Sequence, residues 1–165
     1  MKGVRIGSEE EATFQTQLTE AHIVENRLAE YFKTNYNCTV KTSQELGSFP
    51  AWDLSIDFID EDVNITFECK QDKLVWKTKN VAVEWQRTLK DGTVKPTCIS
   101  ISQAEIYAYY FNSCYWLIPT DKLRQLISDN NFTIKHNAGD GSRASVYLIP
   151  VDVFKKSCPD KIKVE

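Results

Sequence analysis

The sequence predicts a mixed α/β fold, in which a mixed β-sheet is flanked by helices. Residues 9–33 carry apolar side chains at the three- and four-residue spacing of an amphipathic helix. Residues 52–59 and 64–70 instead alternate between apolar and polar side chains, which is the period of a half-buried strand. The full predicted order is helix, three strands, helix, strand, helix, strand, and this alternation favours a sheet packed against helices.

Size and composition indicate one soluble domain over residues 1–165. The chain has 165 residues, of which 42% are hydrophobic and 26% charged. No apolar run approaches the roughly 18–20 residues of a membrane span, and residues 1–11 lack the apolar centre of a signal peptide. We therefore expect an intracellular, cytoplasmic protein with no membrane partner.

The cysteines and the net charge narrow the function classes. Five cysteines and two histidines are scattered without a Cys-x-x-Cys pair, which argues against a structural zinc site and for reduced thiols. A net charge of −3 and a pI of about 5.5 argue against a broad nucleic-acid-binding surface, since such surfaces are usually basic. Carboxylates that bind divalent cations weaken this objection, because the bound cations reverse the local field.

The predicted first helix carries one acidic residue on its apolar side. Its stripe consists of Phe14, Leu18, Ala21, Leu28 and Phe32. Glu25 falls between Ala21 and Leu28, where an apolar residue is expected. An inward carboxylate is costly unless it is paired or bound to a cation. Glu25 therefore either lies at the edge of the stripe and reaches solvent or serves a site, and the acids described next favour the second interpretation.

After a short strand at residues 38–40 and a loop at 43–50, two segments form a predicted antiparallel hairpin. Alternate residues face the core: Leu54, Ile56 and Phe58, then Ile65, Phe67 and Cys69. The intervening set contains Asp53, Asp57, Glu68 and Lys70. Because a turn at residues 60–62 joins the segments, the hairpin projects Asp53, Glu68 and Lys70 on one face. Asp57 lies toward the turn and is expected in solvent.

The remaining elements follow from local signals. Residues 80–86 predict a third strand, on which Glu84 shares the phase of the site face and is either a supporting carboxylate or part of a surface ion pair. The turn sequence Lys-Asp-Gly-Thr predicts an exposed ribbon at 87–96. Ser102-x-x-Glu105 is a capping box, which predicts a helix over 102–112. The last predictions are a strand at 113–118, a helix from Thr120, a loop at 137–142, a strand at 145–149 and a helix at 151–156.

The acids and the lysine of the hairpin suit phosphodiester hydrolysis. That reaction needs an activated water and neutralised phosphate charge, which one or two Mg²⁺ ions held by carboxylates provide. Mg²⁺ prefers hard oxygen ligands and keeps several waters, so Asp53, Glu68 and the backbone carbonyl of Cys69 are the predicted ligands. Lys70 is expected to hold the attacking water or stabilise the phosphate oxygens, and Glu25 to complete the metal shell directly or through water.

These residues resemble the motifs of the PD-(D/E)XK nuclease superfamily, which includes restriction enzymes, Holliday-junction resolvases and recombination exonucleases. Pro50-Ala51-Trp52-Asp53 is similar to a stretched Pro-Asp element, and Glu68-Cys69-Lys70 matches Glu-x-Lys. Glu25 stands where resolvase-like members carry a first-helix glutamate. Gln103 and Tyr107 fit the Gln-x-x-x-Tyr helix motif of RecB-like exonucleases. The predicted αβββαβ order is the restriction-endonuclease-like core, and the resemblance covers about residues 9–118.

The resemblance implies an endonuclease that hydrolyses duplex or branched DNA with Mg²⁺, or with Mn²⁺ as a substitute. Small size and the first-helix glutamate favour a structure-selective, resolvase-like enzyme acting as a homodimer. A sequence-specific restriction or homing enzyme needs a sequence-reading element, for which the ribbon at 87–96 is the candidate. Small nucleases of this kind are frequent in phage genomes, so a phage or mobile-element origin is expected.

The substrate contacts and one alternative function complete the predictions. Lys73, Gln103 and Tyr107 are the predicted substrate-contacting residues. Lys73, Lys77 and Lys79 follow the acidic motif closely and form either a solvated loop or phosphate contacts. The alternative function is a non-catalytic nucleic-acid-binding domain on the same fold, with surface or structural acids and phosphate-binding lysines.

Overall fold

The computed structural model describes residues 9–46, 51–138 and 143–164, and the side chains of the first range from Thr19 to Glu45. It is a mixed α/β structure with four helices: α1 (Glu9–Asn35), α2 (Val75–Thr78), α3 (Thr120–Asp129) and α4 (Val151–Ser157). The strands are β1 (Cys38–Thr42), β2 (Leu54–Phe58), β3 (Val63–Gln71), β4 (Asn80–Thr88), β5 (Val94–Pro96), β6 (Ile106–Phe111), β7 (Cys114–Pro119), β8 (Thr133–Ala138), β9 (Ala144–Pro150) and β10 (Asp160–Lys163). Two 3-10 turns lie at Ser43–Leu46 and Cys98–Ser100. None of the helices in the described ranges is long and apolar enough to cross a membrane.

The strands form two sheets. The first has six strands in the order β1-β2-β3-β6-β7-β10, and the second has four in the order β5-β4-β9-β8. The first sheet is mixed, because β3 pairs parallel with β6 while its other pairs are antiparallel. The predicted mixed sheet with flanking helices is therefore confirmed, and the predicted β2–β3 hairpin has the expected register, with Leu54 opposite Phe67.

Helix α1 covers one face of the first sheet. Its buried residues are Val24, Glu25, Leu28, Ala29 and Phe32, and they pack on alternate residues of β2 and β3 that include Ile56 and Phe67. The predicted place of Ala21 on this stripe is wrong, because Ala21 is exposed. Phe14 and Leu18 lie outside the described side chains. Among the described side chains, the buried stripe thus runs from Val24 to Phe32 and includes Glu25 itself.

The opposite face of the first sheet packs against the second sheet and helices α3 and α4. This second core contains Tyr107 and Tyr109 from β6 and Ile118 from β7, which meet residues such as Val83 of β4 and Phe154 of α4. Residues on β3 alternate between the two cores, so Phe67 and Cys69 face α1. Glu68 and Lys70 consequently point toward the side of the second sheet.

The helix predicted over residues 102–112 is wrong. Residues 106–111 form β6, which lies between β3 and β7 in the middle of the first sheet. The capping-box serine instead accepts the backbone N–H of Ala104 at 3.2 Å, and the N–H of Glu105 is donated to Thr66 on β3. Aromatic residues of β6 are buried on both faces, so the segment shows neither a helical stripe nor clean alternation.

Several other predictions need correction. The strand predicted at 80–86 exists as β4 but belongs to the second sheet. Strands β8 and β10 were not predicted, because both are short polar strands at sheet edges with little apolar pattern, and residues 137–138 of β8 fall in the predicted loop. The loop predicted at 137–142 lies largely outside the described residues, as do Pro50 and part of the loop at 43–50.

The connection between β3 and β6 determines what surrounds the site face. Parallel neighbours need a crossover of a dozen or more residues, which is usually a helix. Here the crossover consists of α2, the β4–β5 hairpin and the 3-10 turn Cys98–Ser100. The helix predicted at 102–112, the second of the αβββαβ order, is thus β6 of the first sheet, and the crossover before it adds β4 and β5 to the second sheet.

Candidate active site

The β2–β3 hairpin brings the predicted acids together. Asp53 stands one residue before β2, and its backbone N–H is donated to the carbonyl of Phe67 at 2.8 Å. The register continues from the Leu54–Phe67 pair, so Asp53 lies beside Glu68 on the neighbouring strand. Cross-strand neighbours of this kind place their Cβ atoms about 4.5–5.5 Å apart. The predicted convergence of Asp53 and Glu68 on one face is therefore present in the fold.

Asp53 is half-buried and lies against this second carboxylate, which is itself buried. Burial, together with the charge of Glu68, raises the pKa of the Asp53 carboxyl to about 7, although Lys70 opposes the shift. One oxygen, Oδ2, accepts the backbone N–H of Cys69 at 2.7 Å. That hydrogen bond fixes the carboxyl group against β3 and also favours its ionised form. Asp53 is thus held in position in a site that resists its negative charge.

Lys70 lies next to Glu68 and supplies the positive charge of the site. Its Nζ is 3.0 Å from Glu68 Oε1, and the Lys70 side chain is 32% exposed. Burial disfavours the ammonium, but the neighbouring Cys98 sulfur and the carboxylates of Glu68 and Asp53 outweigh it, so the pKa of Lys70 is raised well above its usual value. Lys70 is therefore a cation at neutral pH, suited to holding an anionic oxygen.

Glu25 faces inward, as predicted, and is 6% exposed. Burial raises the pKa of Glu25, while the side-chain amide of Gln44, which donates to its Oε2 at 2.7 Å, favours the charged form. The charges of Glu68 and Lys70 also act on Glu25, which places it near the same site. Gln44 belongs to the 3-10 turn after β1, where the N–H of Ser43 is donated to the carbonyl of Asp53. This turn connects Glu25 to the acids of the hairpin.

Cys98 and Glu84 contact each other close to the site, and the sequence did not predict this contact. The thiol of Cys98 is donated to Glu84 Oε2 at 3.3 Å, and Arg87 pairs with Glu84 Oε1 at 2.8 Å. Burial raises the pKa of Cys98 to about 11, against the opposing effect of Lys70. The phase of Glu84 was the one available signal. The structure shows its ion pair with Arg87 and its contact with Cys98, while a role as a supporting carboxylate of the site stays a prediction. Nothing in the sequence around Cys98 indicates its place beside Lys70.

The other predicted site residues take different positions. Tyr107 is on β6, directly opposite Glu68, and is fully buried in the second core. Gln103 is exposed in the loop before β6, so the predicted helical Gln-x-x-x-Tyr motif is wrong as a structural unit. Lys73 follows β3 and forms an ion pair with Glu20 of α1. The thiol of Cys69 lies in the first core, and the role of its carbonyl stays a prediction.

The donor set fits a Mg²⁺-type ion that keeps most of its water. Asp53 and Glu68 are two hard oxygen donors whose mutual repulsion a cation would relieve. Mg²⁺ is commonly bound by one or two carboxylates together with waters and substrate phosphates. No cluster of three or more His, Cys, Asp or Glu side chains able to hold a metal occurs among the described residues, so Glu25 does not join the two acids as a close third ligand here.

Comparisons with known proteins give one structural similarity. No protein-family model matches the chain, and no curated protein matches it. Among solved structures, the chain is similar to a bacterial homing endonuclease, I-Ssp6803I, at 15% sequence identity and a TM-score of 0.49, over 87% of this chain and 79% of that chain. The resemblance to the PD-(D/E)XK superfamily stays a prediction.

Proposed function

We propose that this chain is a Mg²⁺-dependent endonuclease that hydrolyses DNA phosphodiester bonds. The observation that carries the proposal is the pair of adjacent carboxylates, Asp53 and Glu68, with the cationic Lys70 at 3.0 Å from the second of them. Repulsion between a buried and a half-buried acid is costly, and such arrangements occur where charge is used in function. A divalent cation and a phosphate group together satisfy both the acids and the lysine.

Each residue has a distinct part in the proposed reaction. Asp53 and Glu68 would hold Mg²⁺, which when bound neutralises phosphate charge and lowers the pKa of a nearby water. Lys70 would exchange its contact with Glu68 for a phosphate oxygen or the attacking water. Glu25, behind the pair, would keep negative potential in the site and orient water through its second oxygen. Mn²⁺ is expected to substitute for Mg²⁺.

Cleavage of DNA by matched variants tests this proposal. Asp53→Asn, Glu68→Gln and Lys70→Met are each expected to abolish cleavage of plasmid DNA with Mg²⁺ while leaving the circular-dichroism spectrum unchanged. Asp57→Asn and Lys41→Met are controls of the same chemistry, because both residues are exposed on neighbouring strands outside the site. Equal cleavage by the site variants and the parent protein would refute the assignment.

The proposal also includes a preferred DNA structure and a homodimeric state. A four-way junction, a linear duplex and a single strand, cut in parallel, distinguish a structure-selective resolvase-like enzyme from one that reads sequence through the β4–β5 hairpin. The homodimer is tested by the sedimentation of the protein with and without DNA.

A second candidate is a non-catalytic nucleic-acid-binding domain. One observation favours it: both carboxylates already have protein partners, Asp53 the N–H of Cys69 and Glu68 the ammonium of Lys70. Calorimetric titration with Mn²⁺ separates the candidates, because only a nuclease requires a metal site that Asp53→Asn removes. DNA binding without such a site and without cleavage would favour the second candidate.

A further inference from the structure

We propose that the turn directly after β3 is a platform on which Trp76 stacks with an unpaired base of the nucleic acid. The inference rests on the proposed function, since it concerns the substrate of the same site. It narrows that substrate to one with unpaired nucleotides, such as a branch point or a single-stranded flank. We name the platform for its residues, 73–79, which comprise Lys73, Leu74, Val75, Trp76, Lys77, Thr78 and Lys79.

The platform is held rigidly to the strand that carries Glu68 and Lys70. Asp72 directly precedes the platform and anchors it. Its backbone N–H is donated to the carbonyl of Tyr110 of β6, while its carboxylate accepts the N–H groups of Leu74 and Ala82, each at 3.0 Å. One residue is therefore bonded to the first sheet, to the turn itself and to β4 of the second sheet.

The turn is also fixed from within. Val75 is 3% exposed and belongs to the second core. The Thr78 hydroxyl is donated to the carbonyl of Leu74 at 3.1 Å, and the turn closes at Lys79 in the left-handed region with φ of 59°. Exposed loops are ordinarily mobile, but these contacts pre-form the turn, so little order has to be gained on binding.

Against this fixed base, the platform presents a large aromatic ring to solvent. Trp76 is 68% exposed and Leu74 is 59% exposed. Tryptophan is usually at least half covered in folded proteins, and a rigid exposed ring beside cations is what single-stranded nucleic-acid sites use to stack successive bases. Stacking accepts any base, since every base has a π-face.

The surroundings of Trp76 have the charge that a polyanion requires. A groove of about 540 Å³ runs beside the ring and is lined also by Lys79 and Lys155, with Asp152 as its one acid. Among the described residues, Lys77, Lys79 and Lys155 form no ion pair with a carboxylate. The ammonium of Lys155 lies over the rings of Phe111 and Trp116, so Lys77 and Lys79 are the charges most available to phosphates. A base in the groove would have the ring on one side and phosphates near two lysines.

Binding in EDTA tests the platform independently of cleavage. Fluorescence anisotropy would compare a blunt duplex with the same duplex carrying a single-stranded tail, at constant salt. Trp76→Ala is expected to weaken binding of the tailed DNA about tenfold and to leave the blunt duplex unchanged, whereas Trp76→Phe keeps most of the affinity because it retains a ring. Lys79→Met is expected to weaken both DNAs and to lower the salt dependence by about one phosphate contact.

An exposed apolar residue far from the platform provides the control. Ile59→Ala removes a 55% exposed side chain from the distant β2–β3 turn and should change nothing. Unchanged binding of tailed DNA by Trp76→Ala, an equal loss on the blunt duplex, or a change of oligomeric state in that variant would each overturn the inference. Asp53→Asn should bind tailed DNA normally in EDTA, so a failure of the nuclease proposal leaves its own signature: the platform binds but the protein never cuts.

Discussion

Replacing Asp53 with asparagine should stabilise this protein at neutral and alkaline pH while removing its proposed activity. Desolvation of the half-buried carboxyl, together with the charge of Glu68, raises the pKa of Asp53 to about 7. In the unfolded chain the same carboxyl has a pKa of about 4 and loses its proton there. The folded state therefore holds a proton that the unfolded state has lost, and stability falls as pH rises between these two values.

The magnitude follows from that pKa difference. Each pH unit in this window costs about 1.4 kcal/mol, so moving from about pH 5 to above about pH 7 removes about 3 kcal/mol of unfolding free energy. In a domain of this size that corresponds to about 6–12 °C in melting temperature. Asparagine keeps a carbonyl oxygen for the N–H of Cys69, which Asp53 accepts at 2.7 Å, and carries no charge to lose.

Urea unfolding in EDTA at pH 5 and pH 8 measures the effect. The stability advantage of Asp53→Asn over the parent should grow by about 3 kcal/mol between the two pH values, because groups such as Glu25 and Glu84 titrate in both proteins. Asp57→Asn, on the exposed part of the same hairpin, should show no such growth. Identical pH dependence in the parent and in Asp53→Asn would refute the account of a half-buried carboxyl repelled by Glu68.

Magnesium provides the complementary half of this prediction. At pH 8 the Asp53 carboxyl of the parent is ionised, and a bound cation would stabilise the folded state by mass action. Mg²⁺ should therefore raise the stability of the parent at pH 8 and have a much smaller effect on Asp53→Asn. A Mg²⁺ effect of the same size in both proteins would place any bound ion elsewhere.

Three further outcomes are expected. Native-state alkylation with iodoacetamide at pH 8 should leave Cys98 unmodified in mass spectra, because burial raises its pKa to about 11, and rapid labelling in the native state would contradict its position. Tyr115→Phe should cost about 1 kcal/mol in urea unfolding, since the buried hydroxyl is donated to the carbonyl of Val24 at 2.5 Å and ties α1 to β7; a neutral effect would mean that this bond contributes nothing. Phe154→Ala should cost about 3–5 kcal/mol, because this fully buried ring of α4 packs between aromatic rings of β6, and a loss below about 1 kcal/mol would contradict that packing.

The sequence predicts the hairpin well because its evidence is local. Alternation over residues 52–59 and 64–70 gives strand type, face and turn together, and the structure confirms all three at β2 and β3. The inward position of Glu25 is also predicted from spacing, whereas Ala21 of the same predicted stripe is exposed. These elements each bury one face, so the apolar pattern contains the required information.

The failures come from pairings that the sequence does not encode locally. Ser102-x-x-Glu105 satisfies the rule for a helix start, but its residues bond to β3 instead, and the aromatic run after it is buried on both sides of a central strand. Strand β10 has one buried residue, Ile162, and exists because β7 offers it a free edge. Propensity is overruled here by partners distant along the chain.

The crossover explains why the site residues of the hairpin and those missed from sequence belong together. Because β3 pairs with β6, Tyr107 lies opposite Glu68 and Tyr109 lies opposite Lys70, so β6 covers that edge of β3. The chain between these strands must cross the same face, and in doing so it brings Cys98 close to Lys70. The ammonium is thus paired with Glu68 from its own strand, and the crossover places Cys98 nearby. The hairpin supplies the charged residues of the site, but the crossover between β3 and β6 determines which residues surround them. Trp76 lies at the start of the same crossover and is exposed there.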